Sequence, residues 1–379
     1  MAEKQGDTDT DTVKTRVLIL SDTHAGAAHA FRPSSPPPSA DLLIHCGDLT
    51  MTGGAAQYDE ALEALARYDA PVKLVIAGNH DLTLDRAWMG AHPGDARIAT
   101  ASFDIGAEAR WRAARDLWTA AEGRASREGV TFLDEGVHRV ALRNGAHVTV
   151  YASPYTPAFL DWGFPYDRHQ DRFNPPGYSF RDAENIAGAP VPSFSSSPVE
   201  DANIDILITH GPPWGRLDAV PRAGSGGGAV EVEHTGCSHL LRALMRARPL
   251  LHCFGHIHEG HGAERIEWSD AADAVAGAAA TRVEWEREGE GDGGRAPWED
   301  GILFGREGIA RVSEPEGGSG DGGMGDADVI VADISADSDS PLVRGRDTLL
   351  VNAAIMTVEY RPENRPWLIE LDLPAARVG

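Results

Sequence analysis

The chain has 379 residues, with 58 Asp and Glu against 34 Lys and Arg, and a formal net charge of −24. An apolar fraction of 42% allows a sizeable core, and glycine plus proline, at about 17%, fall short of the level that marks disorder throughout. So acidic a chain is a poor partner for long nucleic acids or anionic membrane surfaces, whose sequence-independent attraction runs through Lys and Arg clusters.

Residues 1–14 read as a polar tail without the apolar stretch of a signal peptide, and 15–379 as one domain. Arg16–Leu20 is a short apolar run ending in Ser21-Asp-Thr-His24, and a Pro- and Ser-rich loop follows at Gly26–Pro38. A second run, Leu42–Cys46, ends in Gly47-Asp48. Residues 56–68 carry Tyr58, Leu62, Leu65 and Ala66 at helical spacing, which predicts a helix with one packing face. A third run, Val72–Ala77, ends in Gly78-Asn-His-Asp81. Short apolar strands alternating with helices predict βαβ units and a largely parallel α/β sheet.

Ala107–Ser126 has helical composition, and two alternating stretches, Val137–Leu142 and His147–Ala152, are joined through Asn144-Gly145, a strong hairpin signal. Residues 169–203, rich in Pro, Ser and Gly, predict a surface excursion. Ile204–Thr209 is a strand ending at His210, His239–Arg246 a helix, and Leu250–Phe254 a strand leading into Gly255-His-Ile-His258. Ser269–Gly345 differs: it holds 18 acidic and 6 basic residues and 15 of the 42 glycines. Such a stretch has little to bury, so the whole is expected to be a solvated insertion, with local patches at Ile302–Phe304 and Val329–Val331. Regular patterning resumes at Leu349–Val351 and Trp367–Leu373. No run reaches the ~20 apolar residues of a spanning helix. The three cysteines, Cys46, Cys237 and Cys253, are too scattered for a disulfide framework, so a reduced, cytoplasmic protein without a membrane partner is expected.

Five motifs stand at the carboxyl ends of predicted strands, the edge where open α/β sheets bind ligands. Between them they offer Asp22, His24, Asp48, Asn79, His210, His256 and His258. Side chains at i and i+2 of an extended segment face the same way, so Asp22 with His24, and His256 with His258, can each reach one ion. Carboxylate, imidazole and amide donors without thiolate suit Mn, Fe or Zn and not a structural zinc site. Seven ligands exceed what one ion takes from protein and suit two divalent ions about 3.5–4 Å apart, an arrangement used for in-line phosphoryl displacement.

The motifs SDTH at 21–24, GDLT at 47–50, GNHD at 78–81, THG at 209–211 and GHIH at 255–258 resemble, in order, those of the calcineurin-like metallophosphoesterases. IAGNHDLTLD at 76–85, YASPYTPAFLDWGF at 151–164, THGPPWG at 209–215 and FGHIHEGHG at 254–262 resemble one branch more closely, the metallophosphodiesterases of brain-expressed animal proteins and their fungal relatives. The resemblance implies two packed mixed β-sheets flanked by helices. It implies that Asp22, His24 and His258 hold one metal, that Asn79, His210 and His256 hold the other, and that Asp48 bridges them. His80 would lie outside the metal shell, near the leaving group, as a catalytic acid. Some members of that branch have Gly in place of His256; this chain keeps the His, so a complete dinuclear centre is expected.

The implied reaction is in-line attack by a metal-bound hydroxide on a small phosphoester. Gly47-Asp-Leu-Thr-Met-Thr-Gly-Gly54 lacks the Asp and Arg that the protein-phosphatase branch carries after its Gly-Asp, which favours small phosphodiesters, including cyclic nucleotides. A broad phosphomonoesterase, or a silent scaffold of the same fold, are the rival readings. Tyr151, Tyr155, Phe159, Trp162, Phe164 and Trp214 either stack on a base or simply anchor their loops.

Overall fold

The structure, a computed structural model, describes residues 11–25, 37–98, 106–174, 204–223, 230–268, 310–311 and 329–376. The tail before Asp11, most of the loop expected at Gly26–Pro38, residues 175–203 of the first insertion and most of the second, with Ile302–Phe304, lie outside the described residues.

Strands buried on both faces read as unbroken apolar runs, and their side chains sort by parity. Val17 and Ile19 face one way and Leu18 and Leu20 the other; Leu42 and Ile44 oppose Leu43. In the second half of the chain Ile206 and Ile208 oppose Leu207, and Leu349 and Val351 oppose Leu350. The first-named residues of each pair meet in one core between two sheets. Leu18, Leu20 and Leu43 instead pack under Tyr58, Leu62 and Leu65 of helix Ala55–Ala66 and Trp118 of helix Ala107–Thr119. Leu207 and Leu350 pack under Leu240 and Leu244 of helix Ser238–Ala247. Each fully buried Leu or Ile contributes roughly 1.5–3 kcal/mol.

The first sheet runs Ile330–Asp333, Trp367–Pro374, Thr12–Leu20, Leu42–His45, Lys73–Val75, Val130–Phe132. It is parallel except where Thr12–Leu20 meets Trp367–Pro374. The second runs Ala310–Arg311, Gly262–Glu267, Asp347–Asn352, Leu251–Phe254, Ile206–Thr209, His147–Ser153, Gly136–Ala141. Its four central strands are parallel and its margins antiparallel. Two packed mixed sheets with helices on both outer faces are therefore the fold, as expected.

Four expectations need correction. The tail ends earlier than residue 14, because Thr12 already pairs with Pro374. The helix expected over Ala107–Ser126 breaks into Ala107–Thr119 and Arg124–Arg127, with the Gly123 N–H turning back to the Ala120 carbonyl (2.8 Å). The excursion expected from 169 begins docked: Phe173 is fully buried, and Arg172 pairs with Glu135 at 2.7 Å. The solvated insertion does not extend to 345, because Ile330–Asp333 is the edge strand of the first sheet, with Ile330 and Ala332 in the core. A hairpin, Ala219–Ala223 with Val230–His234, was not anticipated.

Candidate metal centre

Thr12–Leu20, Leu42–His45 and Lys73–Val75 are parallel neighbours, so the loops holding Asp22 and His24, Asp48, and Asn79 with His80 leave one edge side by side. Ile206–Thr209 and Leu251–Phe254 are parallel neighbours in the second sheet and deliver His210 and His256–His258. The ligand atoms converge in three overlapping groups, each with all atoms within 4.8 Å: Asp22, His24, His258; His24, Asp48, His80; and Asp48, His210, His256. Asn79 joins through its Oδ1, 2.8 Å from His210 Nε2. Asp48 Oδ2 lies 3.3 Å from His210 Nε2 and 3.8 Å from His24 Nε2, between the two flanks.

The extended geometry assumed for the i, i+2 pairs is not what brings them together. Asp22, His24, Asp48 and His256 all have left-handed backbone, with φ of 57°, 46°, 53° and 66°. Asp and His tolerate this region better than most residues, at a cost on the order of 1–3 kcal/mol each. The result is that His256 and His258 join different groups. The backbone N–H of His256 donates to Asp22 (3.0 Å), and that of His80 to Asp48 Oδ1 (2.8 Å), so each carboxylate also ties two motifs together. Gly255 is required because a Cβ there would overlap the Asp22 carboxylate and lie 2.6 Å from Ser21 Cβ. A Cβ on Gly78 would overlap Asp48 and lie 2.7 Å from His210 Cε1.

The imidazoles are oriented from behind. His24 Nδ1 bonds the Thr50 carbonyl (3.2 Å), His210 Nδ1 the Cys46 carbonyl (2.9 Å) and His258 Nδ1 the Thr357 carbonyl (3.0 Å). With Nδ1–H donating outward, the Nε2 atoms face the site as prospective ligands, the arrangement usual for metal-binding histidines. His24 Nε2 is buried without a hydrogen-bond partner. An orphaned ring nitrogen among carboxylate and amide oxygens fits a divalent cation.

Both carboxylates are held ionised, as a cation site needs. Burial pushes the Asp22 carboxyl up, but the hydrogen bond from His258 and the His210 charge outweigh it and hold it below the usual carboxylate range. Burial likewise opposes ionisation of Asp48, and His210 and His80 override it. Burial lowers His210 and His258, yet Asp48 and Asp22 respectively raise each to about 9. His24 and His256 go the other way, to about 4 and about 3, chiefly through burial.

His80 is as close to His24 and Asp48 as the other candidates are to each other, so proximity does not separate it from them. Its Nδ1 bonds the Met51 carbonyl (2.9 Å) and its ring stacks on Trp162. Of the aromatic loop, Tyr151 and Phe164 are buried, and Tyr155 packs on Phe164 and under Arg172, so these anchor the loop. Phe159 and Trp162 instead line a shallow depression with Asn79 and His256.

Sequence reasoning missed Tyr360, whose ring lies 5.0 Å from that of His24 and 5.3 Å from that of His258. It sits in the loop after Asp347–Asn352, which pairs parallel with Leu251–Phe254 and so opens at the same edge. That adjacency was the available signal. Asp81, the last residue of the third motif, is fully buried. It accepts from the N–H groups of Gly78, Leu49 and Thr50 (2.8, 3.1 and 3.0 Å) and from the Thr50 hydroxyl (2.7 Å), fastening the second motif to the third. Burial and the Asp48 charge push its carboxyl up, but a shell made only of donors suits the ionised form.

A family model described as calcineurin-like phosphoesterase matches residues 15–260. The chain is 30% identical over 254 residues to human metallophosphoesterase domain-containing protein 1, covering 65% of this chain and 62% of that protein. It is 31% identical over 248 residues to a UPF0046 protein of Caenorhabditis elegans, covering 65% and 64%. A probable rhamnogalacturonate lyase C of Emericella nidulans is 30% identical over 255 residues, 67% of this chain but 18% of that protein. The chain thus spans less than two thirds of the length of each of these relatives. Among the described residues no helix is long and apolar enough to cross a membrane.

Proposed function

The chain belongs to the calcineurin-like phosphoesterase family, and from that premise we propose that it hydrolyses small phosphodiesters, cyclic nucleotides among them, at a dinuclear metal centre. The observation that carries this reading is the convergence of five strand-end motifs into three overlapping groups of ligand atoms. Asp22, His24 and His258 would hold one divalent cation and Asn79, His210 and His256 the other, with Asp48 shared; Mn, Fe or Zn suits these donors. Such ions supply a water of lowered pKa and neutralise charge on phosphoryl oxygens.

The protein's own part is orientation and proton transfer. The carbonyls of Thr50, Cys46 and Thr357 hold three imidazoles in one tautomer. The Met51 carbonyl does the same for His80, leaving its Nε2 as the atom that passes a proton to the departing alkoxide. For this role the Nε2 proton passes to the alkoxide while the Nδ1–H stays hydrogen-bonded to the Met51 carbonyl.

Metal analysis of the purified chain, followed by assays on bis-p-nitrophenyl phosphate, p-nitrophenyl phosphate and a panel of cyclic nucleotides with added Mn²⁺, tests the proposal. The diesters are expected to turn over faster than the monoester. Two bound metals with no turnover of any diester would sink it, and preference for the monoester would replace it with a phosphomonoesterase.

A further inference from the structure

Trp162 reaches the site from a loop that carries no candidate ligand. Its ring stacks on the imidazole of His80, with centroids 3.9 Å apart and planes inclined by 26°. The hydrogen bond from His80 Nδ1 to Met51 fixes the tautomer, but one such bond leaves the ring free to swing about it. A face contact blocks that motion, and the edge of His24 limits the ring further, 4.7 Å away.

Trp162 is itself held on two flanks. The Arg97 guanidinium lies 5.2 Å from its ring centroid and 5.0 Å from that of Trp88, a cation among aromatic faces. Arg97 donates to the carbonyl of Asp161 (2.8 Å), to its carboxylate (3.0 Å) and to Asp95 (2.7 Å). His92 Nε2 meets the same Asp161 carboxylate at 3.1 Å and stacks on Trp88. On the other flank the Gly163 N–H donates to the Asn79 carbonyl (2.9 Å), and the Phe164 N–H to Asp85 (2.6 Å). Asp85 also caps helix Arg86–Ala91. The indole also packs against the small cluster of Leu82, Trp88, Met89 and Ile98. These contacts fix the ring in a half-buried position whose exposed neighbour is the reaction site.

We infer that Trp162 is a positioning residue for His80, clamped by Arg97 and Asp161, so that the imidazole meets the leaving oxygen in one orientation. The inference rests on the reading of His80 as proton donor. Its signature follows from leaving-group chemistry. A p-nitrophenolate departs without needing a proton, whereas the alkoxide released from a cyclic nucleotide needs one. Loosening His80 therefore harms the second reaction and spares the first.

The test uses the full, metal-loaded chain with both esters. Trp162→Ala is expected to lower kcat on the cyclic nucleotide roughly tenfold, the scale of a misplaced catalytic group, with KM changed by less than about twofold. Turnover of bis-p-nitrophenyl phosphate should fall by less than about threefold, and Trp162→Phe should restore most of the loss. Arg97→Met should show the same pattern more weakly. In a His80→Ala background the Trp162→Ala loss should vanish, because the two act as one unit. A loss that is equal for both esters, or that survives in the His80→Ala background, would overturn the inference. A second readout is independent of turnover. The His80 ring protons, assigned by their absence in His80→Ala, should resonate upfield under the indole ring current and return towards ordinary values in Trp162→Ala. Ring protons unmoved by that substitution would also overturn it. A wild-type chain inactive on both esters would defeat the functional reading, while the imidazole signal still decides whether Trp162 holds the ring.

Discussion

Replacing His252 with Met probes a histidine that the fold buries beneath the site. His252 is fully buried in Leu251–Phe254; its Nε2 is 2.9 Å from the Thr209 hydroxyl, and its Nδ1 has no hydrogen-bond partner. Burial alone pushes its pKa down from 6.5 to about 3. The folded chain therefore keeps the ring neutral where the unfolded chain takes up a proton. Stability from this group is intact above pH 6.5 and is lost as pH falls towards 3, at about 1.4 kcal/mol per pH unit. At pH 5 the loss is roughly 2 kcal/mol. Met cannot titrate, so the difference in unfolding free energy between variant and wild type should shift in favour of the variant by that amount between pH 7.5 and pH 5. At pH 7.5 the variant should sit within about 1.5 kcal/mol of wild type, the worth of the Thr209 hydrogen bond. Urea denaturation of both proteins at several pH values measures this, and groups common to the two cancel. A difference that stays flat with pH would show that His252 is protonated in the folded state or reached by water.

Other expected outcomes concern the site directly. His80→Ala should lower turnover of alkoxide-releasing esters by roughly 10²–10⁴-fold while elemental analysis finds wild-type metal content; loss of metal would place His80 inside the shell. Gly78→Ala forces a methyl group onto Asp48 and His210, so it should cost about 1–3 kcal/mol in denaturation and reduce bound metal; wild-type values for both would refute the packing argument. Asp81→Asn turns an amide N–H₂ towards two of the four donors and should destabilise by about 1–3 kcal/mol, visible as a lower urea midpoint at unchanged slope. Chelation should lower the thermal midpoint, since each ion present at a hundred times its Kd stabilises the fold by about 2.7 kcal/mol; an unchanged midpoint would mean no such occupancy.

The layers and the five motifs were legible because both are local. Runs such as Leu42–Cys46 announce strands buried on both faces, and the residues that end them carry the polar chemistry. What escaped depends on contacts across long separations. Tyr360 and the Thr357 carbonyl have no motif of their own and reach the site only because Asp347–Asn352 pairs beside Leu251–Phe254. The edge strand Ile330–Asp333 was hidden in an acidic, Gly-rich composition, since a four-residue strand paired on one side needs only Ile330 and Ala332 to face inward. The left-handed turns at Asp22, His24, Asp48 and His256 left no trace in the spacing, so these residues converge for a geometric reason other than the extended one expected.

Two of the three ligand-atom groups draw on both sheets. Asp22 and His24 come from the first and His258 from the second; Asp48 comes from the first, His210 and His256 from the second; and Asp48 itself links the pair. Neither sheet alone completes either of these two groups, so the site works as a calliper whose jaws are the sheets and whose setting is the thickness of the core between them. Leu42, Ile44, Val150, Ile208 and Val351 lie in that core. A substitution there that lets the sheets shift by a fraction of an ångström would reset the jaws without altering any ligand. Adaptation to a different ion or phosphoester could then begin in residues that never touch either.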